Sequence, residues 1–143
     1  MILILSSALL IFIIELFIKN FLKNFPLENL PFVHVVFNKG IAFGLFKEYS
    51  HFLTYLIIIL ILLLFYIIKN DANKTFSSKI AYGLILGGAF SNFYDRLIYG
   101  GVIDYIDLKI WPVFNLADSA ITVGVGILLL RLLKERLWKK SLK

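Results

Sequence analysis

At 143 residues, 60% of them hydrophobic, with a mean hydropathy of +0.88, the chain is one domain long and too apolar for a water-soluble fold of that size, so lipid is its expected solvent. Its formal charge of +6 does not indicate a nucleic-acid partner: Arg131, Lys134, Arg136, Lys139, Lys140 and Lys143 directly follow the last apolar run, as on the cytoplasmic flank of a membrane helix. Cysteine is absent, which excludes disulfides, thiolate metal sites and thiol nucleophiles.

Four apolar runs follow in chain order, at about residues 2–18, 52–68, 80–99 and 113–130. Each approaches the ~20 residues that cross a bilayer as a helix. None alternates as a barrel strand would, which leaves helices as the spanning state. The first has no basic leader and no small-residue cleavage site, and is expected to be a retained helix. The expected fold is therefore an all-α integral membrane protein, a single domain over residues 1–143 with four transmembrane helices. The basic tail places the C-terminus in the cytoplasm, and four crossings return the N-terminus there as well. Residues 70–79 then form a cytoplasmic loop, and residues 19–51 and 100–112 form the outer loops. Within the first outer loop, Val33-His34-Val35-Val36-Phe37 reads as a strand, Asn38-Lys39-Gly40 as a turn, and residues 41–46 as a second apolar piece. These suggest a small β-like platform on the outer membrane surface.

Charges in membrane helices are costly and mark function. Of five aspartates, four (Asp95, Asp104, Asp107 and Asp118) fall between the end of the third run and the start of the fourth, at the same predicted depth. Helical spacing puts Gly88, Asn92 and either Asp95 or Arg96 on one face, and Asn115 and Asp118 on another. Glu15 and Lys19, four apart at the outer end of the first helix, are placed to pair on the helix surface. The spacing of Gly83, Gly87 and Ser91 suits close helix packing. The only histidines are His34 and His51, and no H-E-x-x-H motif is present, which argues against a zinc protease. No His or Lys stands clearly beside Ser91 or Ser119 to activate it. Carboxylates remain. Two that approach closely share a proton, and can then act as acid and base on a peptide bond without a metal. A proton or ion relay in a transporter and a Mg²⁺-dependent lipid-modifying enzyme are the competing uses of the same residues.

Three blocks carry a resemblance. Asn38-Lys39-Gly40-Ile41-Ala42-Phe43 is similar to the N-x-G-x-A-F motif of lipoprotein signal peptidases. The stretch from Gly87 to Arg96, followed by Gly101-Val102-Ile103-Asp104-Tyr105-Ile106, resembles their G-G-A-x-x-N-x-x-D-R…G-x-V-x-D-(F/Y)-I block. Pro112-Val113-Phe114-Asn115-Leu116-Ala117-Asp118-Ser119 resembles P-x-F-N-x-A-D-S. The resemblance implies an aspartic endopeptidase of the bacterial plasma membrane. It would act without cofactor or metal, cutting diacylglyceryl-modified prolipoproteins on the N-terminal side of the lipidated cysteine at the outer face. It implies Asp104 and Asp118 as the catalytic pair, with Asn38, Gly88, Asn92 and Asn115 shaping the pocket. Asp95 and Arg96 would support the pair by ion pairing and substrate positioning. Glu15 and Lys19 occupy positions where the family usually has Asp and Lys. Asp107 has no counterpart in the family pattern and reads as a solvated charge. The partners implied are the lipidated substrate and membrane lipids, with a monomer sufficient for the chemistry.

Overall fold

The computed structural model describes residues 1–24, 30–40 and 50–141. In chain order it contains α1 (Ile2–Asn24), β1 (Val33–Asn38), α2 (Ser50–Asn70), α3 (Phe76–Tyr99), β2 (Val102–Ile106) and α4 (Leu116–Ser141). Three helices, α1, α2 from Phe52 onward, and α4, are long and apolar enough to cross a bilayer. At 24 residues, α3 has the length as well, about 36 Å at 1.5 Å per residue. Its lower apolarity has a packing cause. It sits in the middle and touches α1, α2 and α4, and ten of its residues are buried, against three of α4's 26. A helix that faces protein on most sides can carry glycine, serine and asparagine where a lipid-facing helix carries leucine. Side chains such as Leu9, Leu10, Phe17, Leu60, Leu62 and Leu130 stay exposed along the other three helices, as lipid contact requires.

Close approach explains the small residues. A Cβ on Gly88 would collide with the Ala117 carbonyl of α4, and one on Gly87 with the Ala8 carbonyl of α1. Gly83 likewise meets Ile4 and Ser7. The Gly83–Gly87 spacing read from the sequence is thus a packing seam against α1, and Gly88 makes the close approach to α4. Ile4, Ala8, Ile61, Leu64, Ile68, Tyr82 and Leu86 form an apolar core among α1, α2 and α3.

Helix ends follow hydrogen bonding more than apolarity. Thr75 caps α3 by accepting from the Ser78 amide, and Gly100 closes it at φ 74°, donating its N–H to the Arg96 carbonyl. The first helix continues past residue 18 to Asn24, and the last past residue 130 to Ser141. The last helix begins at Leu116 and not at residue 113. Residues before it are pulled into a bridge in which the Ile106 and Phe114 backbones exchange hydrogen bonds.

The β-like platform exists, with a different second member from the one expected. β1 pairs antiparallel with β2, Val36 opposite Asp104 and Asn38 opposite Val102, with a bulge between Val33 and Val36. Residues 41–46, expected to supply the second piece, lie outside the described residues. β2 falls in the stretch read as outer loop. Its Val102-Ile103-Asp104-Tyr105-Ile106 composition is strand-like, but the central aspartate disguises it.

Candidate active site

β2 leads directly out of α3, and a short loop leads from it into α4. That topology brings residues of α3, β1, β2 and α4 to one end of the bundle. Successive strand residues face opposite sides, so Asp104 looks toward Asn38 and Asn115 while Tyr105 looks toward α1. Asp104 Oδ2 accepts from Asn38 Nδ2 at 2.9 Å, and Oδ1 accepts from Asn115 Nδ2 at 2.8 Å. Asn38 cannot swing freely, because its Oδ1 accepts the Gly40 amide at 3.0 Å.

Asp118 is placed by the way α4 begins. Asn115 is the cap: its Oδ1 accepts the Asp118 amide at 2.9 Å, and Asp118 Oδ2 accepts the Asn115 amide at 3.3 Å. This is the reciprocal capping box, with an aspartate in the place usual for glutamate. Asp118 Oδ1 accepts from Asn92 Nδ2 at 2.7 Å. Asn115 is fully buried, and its amide also donates toward Asn92 Oδ1 at 3.0 Å and the Ile103 carbonyl at 3.3 Å. One asparagine therefore holds both carboxylates. Asp104 and Asp118 line a single cavity of about 250 Å³ together with Asn38, Asn92, Arg96 and Trp111. Burial pushes the Asp104 carboxyl from its ordinary 3.8 up to about 7, against the pull of the Asn38 hydrogen bond and with a push from the neighbouring Asp118.

Asp95 and Arg96 are adjacent, yet they do not pair, because neighbouring helix residues point about 100° apart. Arg96 Nη2 donates to the Gly40 carbonyl at 2.9 Å. Its Nε and Nη1 are buried without a hydrogen-bond partner among the described residues. Asp95 turns the other way, into a buried bracket. Lys19 Nζ lies 2.8 Å from Asp95 Oδ2, 3.1 Å from Glu15 Oε1 and 3.4 Å from Ser91 Oγ. Glu15 and Lys19 are 0% and 2% exposed, so the pair expected on the helix surface is instead inside the protein. The bracket reaches the site's backbone at two points. Asp95 Oδ2 accepts the amide of Ile103, the residue before Asp104, at 3.1 Å. Tyr105 donates to Glu15 Oε2 at 2.7 Å, and its oxygen accepts the Leu116 amide at the start of α4 at 3.1 Å. Burial and the Glu15 charge hold the Tyr105 phenol well above its usual range. The sequence reading did not single out Tyr105. Its alternation with Asp104 along the strand was the available signal.

Asp107 is not a bare solvated charge. It accepts the Lys109 amide at 2.8 Å and Lys109 Nζ at 2.7 Å, and this turn holds Lys109 at φ 66°. Those hydrogen bonds keep its carboxyl below the usual range. Its role is to shape the loop into α4. Gly88 contributes no polar group; it lets α4 approach one turn before Asn92. Trp111 is 65% exposed at the cavity rim.

The profile of the signal peptidase (SPase) II family matches residues 7–134. The chain is similar to the lipoprotein signal peptidase of Wigglesworthia glossinidia brevipalpis, 38% identical over 135 residues that cover 83% of this chain and 86% of that one. That of Desulfitobacterium hafniense is 41% identical over 127 residues, covering 85% and 84%. Among solved structures, a bacterial membrane enzyme determined by the in meso method at 2.3 Å resolution superposes with a TM-score of 0.83 at 29% identity, over 93% of this chain and 88% of that one. A second, at 1.9 Å, gives a TM-score of 0.80 at 27% identity, over 92% of each chain.

Proposed function

The chain belongs to the signal peptidase II family, a multi-pass membrane peptidase family, and from that premise we propose that it removes signal peptides from diacylglyceryl-modified prolipoproteins as an aspartic endopeptidase. The cut falls on the N-terminal side of the lipidated cysteine, and Asp104 and Asp118 are the catalytic pair. The observation that carries this reading is the pair itself: two carboxylates from different elements, both hydrogen-bonded to buried Asn115, opening into one cavity.

The geometry supports a division of labour. Asp104 keeps its proton up to about pH 7, so it is the member that donates to the scissile carbonyl oxygen. Asp118 is left to take a proton from the attacking water. The water oxygen bonds to the carbonyl carbon to give a tetrahedral diol. As the C–N bond breaks, Asp118 passes its proton to the departing cysteine nitrogen, and a diol hydroxyl returns a proton to Asp104. The signal peptide leaves with a new carboxyl terminus and the lipidated cysteine with a free amine. Asn38, Asn92 and Asn115 orient the two carboxylates. The unpaired Nε and Nη1 of Arg96 supply donors for a substrate carbonyl in the same cavity. The Glu15–Lys19–Asp95 bracket fixes β2 and the start of α4 from behind.

Four crossings, with α3 as the third, put both termini in the cytoplasm of the bacterial cell and the pair near the outer face of the plasma membrane. The basic end of α4 and exposed Trp111 support that orientation. The substrate's acyl chains then stay in the bilayer while its peptide bond meets the pair. The test is incubation of the purified protein in detergent with a diacylglyceryl-modified prolipoprotein. Mass spectrometry should find a product beginning at the lipidated cysteine, with excess EDTA without effect. A product starting elsewhere, or no product, would sink the reading.

A further inference from the structure

We propose that the basic C-terminal end of α4 carries a binding site for an anionic phospholipid. The inference needs only that α4 spans a bilayer, for which its length and apolarity suffice, and it stands apart from the peptidase chemistry. Arg131 marks the level at which α4 leaves the bundle. Its guanidinium turns toward the loop between α2 and α3, donating to Asp71 Oδ2 at 2.6 Å, to Asp71 Oδ1 at 3.1 Å and to the Asn73 carbonyl at 3.0 Å. From there the helix runs on to Ser141, about 15 Å further, and every residue after Arg131 is exposed. Leu130, Leu133, Lys134, Leu137, Trp138 and Ser141, three and four apart on one face, line a groove of about 600 Å³.

One cation stands in this apolar stripe without a counter-charge. Arg131 is held by Asp71 and Glu135, whereas Lys134 makes no hydrogen bond, ion pair or ring contact among the described residues. Ser141 Oγ is turned back onto the Trp138 carbonyl at 2.8 Å, so the Lys134 ammonium is the polar group that the groove offers a ligand. An occupant needs apolar chains for the leucines and a negative head for Lys134. A phospholipid supplies both, its chains along Leu130 and Leu133, its phosphate at Lys134, and the Trp138 ring at headgroup level. Charge selects among phospholipids. Between Arg131 and Ser141 the helix carries Arg131, Lys134, Arg136, Lys139 and Lys140 against Glu135 alone. That excess attracts a net negative headgroup over a zwitterionic one, whose own ammonium competes for the phosphate. It also works against a second copy of the same helix packing into the groove. α4 is continuous from Leu116, so a headgroup held at Lys134 fixes the depth of Asp118, about 24 Å away along the same axis.

The experiment uses the Trp111→Phe chain, in which Trp138 is the remaining tryptophan, reconstituted in equimolar phosphatidylcholine–phosphatidylglycerol vesicles with bromine on the acyl chains of one lipid or the other. Bromine quenches the indole on contact, so the two quenching curves give the relative occupancy of the groove. Phosphatidylglycerol should be preferred about fivefold, the ratio that one basic side chain near an anionic surface supplies. Lys134→Gln should abolish the preference. Lys139→Gln removes the same charge from the opposite side of the helix and should leave most of it. Both lysines are exposed, and an unchanged thermal transition in detergent shows that each variant folds. Native mass spectrometry of the chain with both tryptophans, equilibrated with the same two lipids, should show the same preference with Trp111 in place. Equal quenching by the two lipids, or equal losses in the two lysine variants, would overturn the site, the second in favour of diffuse surface charge. A Trp138 that neither lipid quenches would overturn it too, and would point to protein cover such as a second copy.

Discussion

Truncating Asn115 to alanine removes a donor from Asp104, an acceptor from the Asp118 amide and the cap of α4 at once. The cap alone is worth about 0.5–2 kcal/mol, so Asn115→Ala should lower the thermal midpoint modestly. By leaving both carboxylates unoriented it should cost kcat on the order of a hundredfold, with KM little changed. A loss confined to KM would mean that Asn115 serves substrate binding instead. Asn38 allows a sharper check, because of the two carboxylates it hydrogen-bonds only Asp104. Activity that needs the Asp104 proton is present below about pH 7 and lost as pH rises through that value. The Asn38 hydrogen bond favours the ionised form, so Asn38→Ala should move the alkaline limb of kcat/KM to higher pH. A limb that stays put, or moves down, would remove Asp104 from the acid role. The polar residues of the site were legible one by one, because polar groups in an apolar sequence stand out. Their bonding was not: sequence spacing shows which residues share a helix face but not that Asp95 turns from Arg96 toward Lys19, or that Asn115 reaches across to β2.

Helix packing and the strand pair carry these residues, and both tolerate little change. Gly88→Leu would drive a side chain into the Ala117 carbonyl of α4 and push Asp118 away from Asn92. Overpacking of this kind costs about 1–3 kcal/mol, so the variant should show a lowered thermal midpoint and lose most cleavage; a Gly88→Leu enzyme with near-normal activity would refute the tight α3–α4 seam. Tyr105→Phe removes the hydroxyl that joins Glu15 to the Leu116 amide. A buried carboxylate oxygen and a part-buried amide both lose a partner, a penalty of about 1–3 kcal/mol. Stability measured in detergent should fall by that order, and unchanged unfolding would mean that the hydroxyl is idle. Helices were readable as apolar runs and strand β1 as a β-branched run, but β2 was hidden because its middle residue is the buried aspartate. Helix ends were misplaced wherever apolarity and hydrogen bonding part company: Lys19 and the basic end of α4 are polar yet helical, while Phe114 is apolar yet bridged to Ile106.

At the scale of the whole molecule, hydropathy reports which surfaces meet lipid. It marked α1, α2 and α4 strongly and α3 weakly, because α3 is wrapped by the others and needs small and polar residues where they need leucine. The order of elements then does the assembly. α3 ends at Gly100, β2 doubles back beside β1, and α4 starts from a capping asparagine, so three consecutive segments and the distant β1 converge on one cavity. The same arrangement places the two aspartates beside an apolar flank that lipid can reach. The most direct test of that pairing is cleavage of a diacylglyceryl-modified prolipoprotein by the purified enzyme and by its Asp104→Asn and Asp118→Asn variants, each first shown to be folded by its thermal transition. The expected result is a product beginning at the lipidated cysteine from the unaltered enzyme, and a loss of at least about a thousandfold in kcat for each variant. Near-normal cleavage by either folded variant would contradict the aspartate pair.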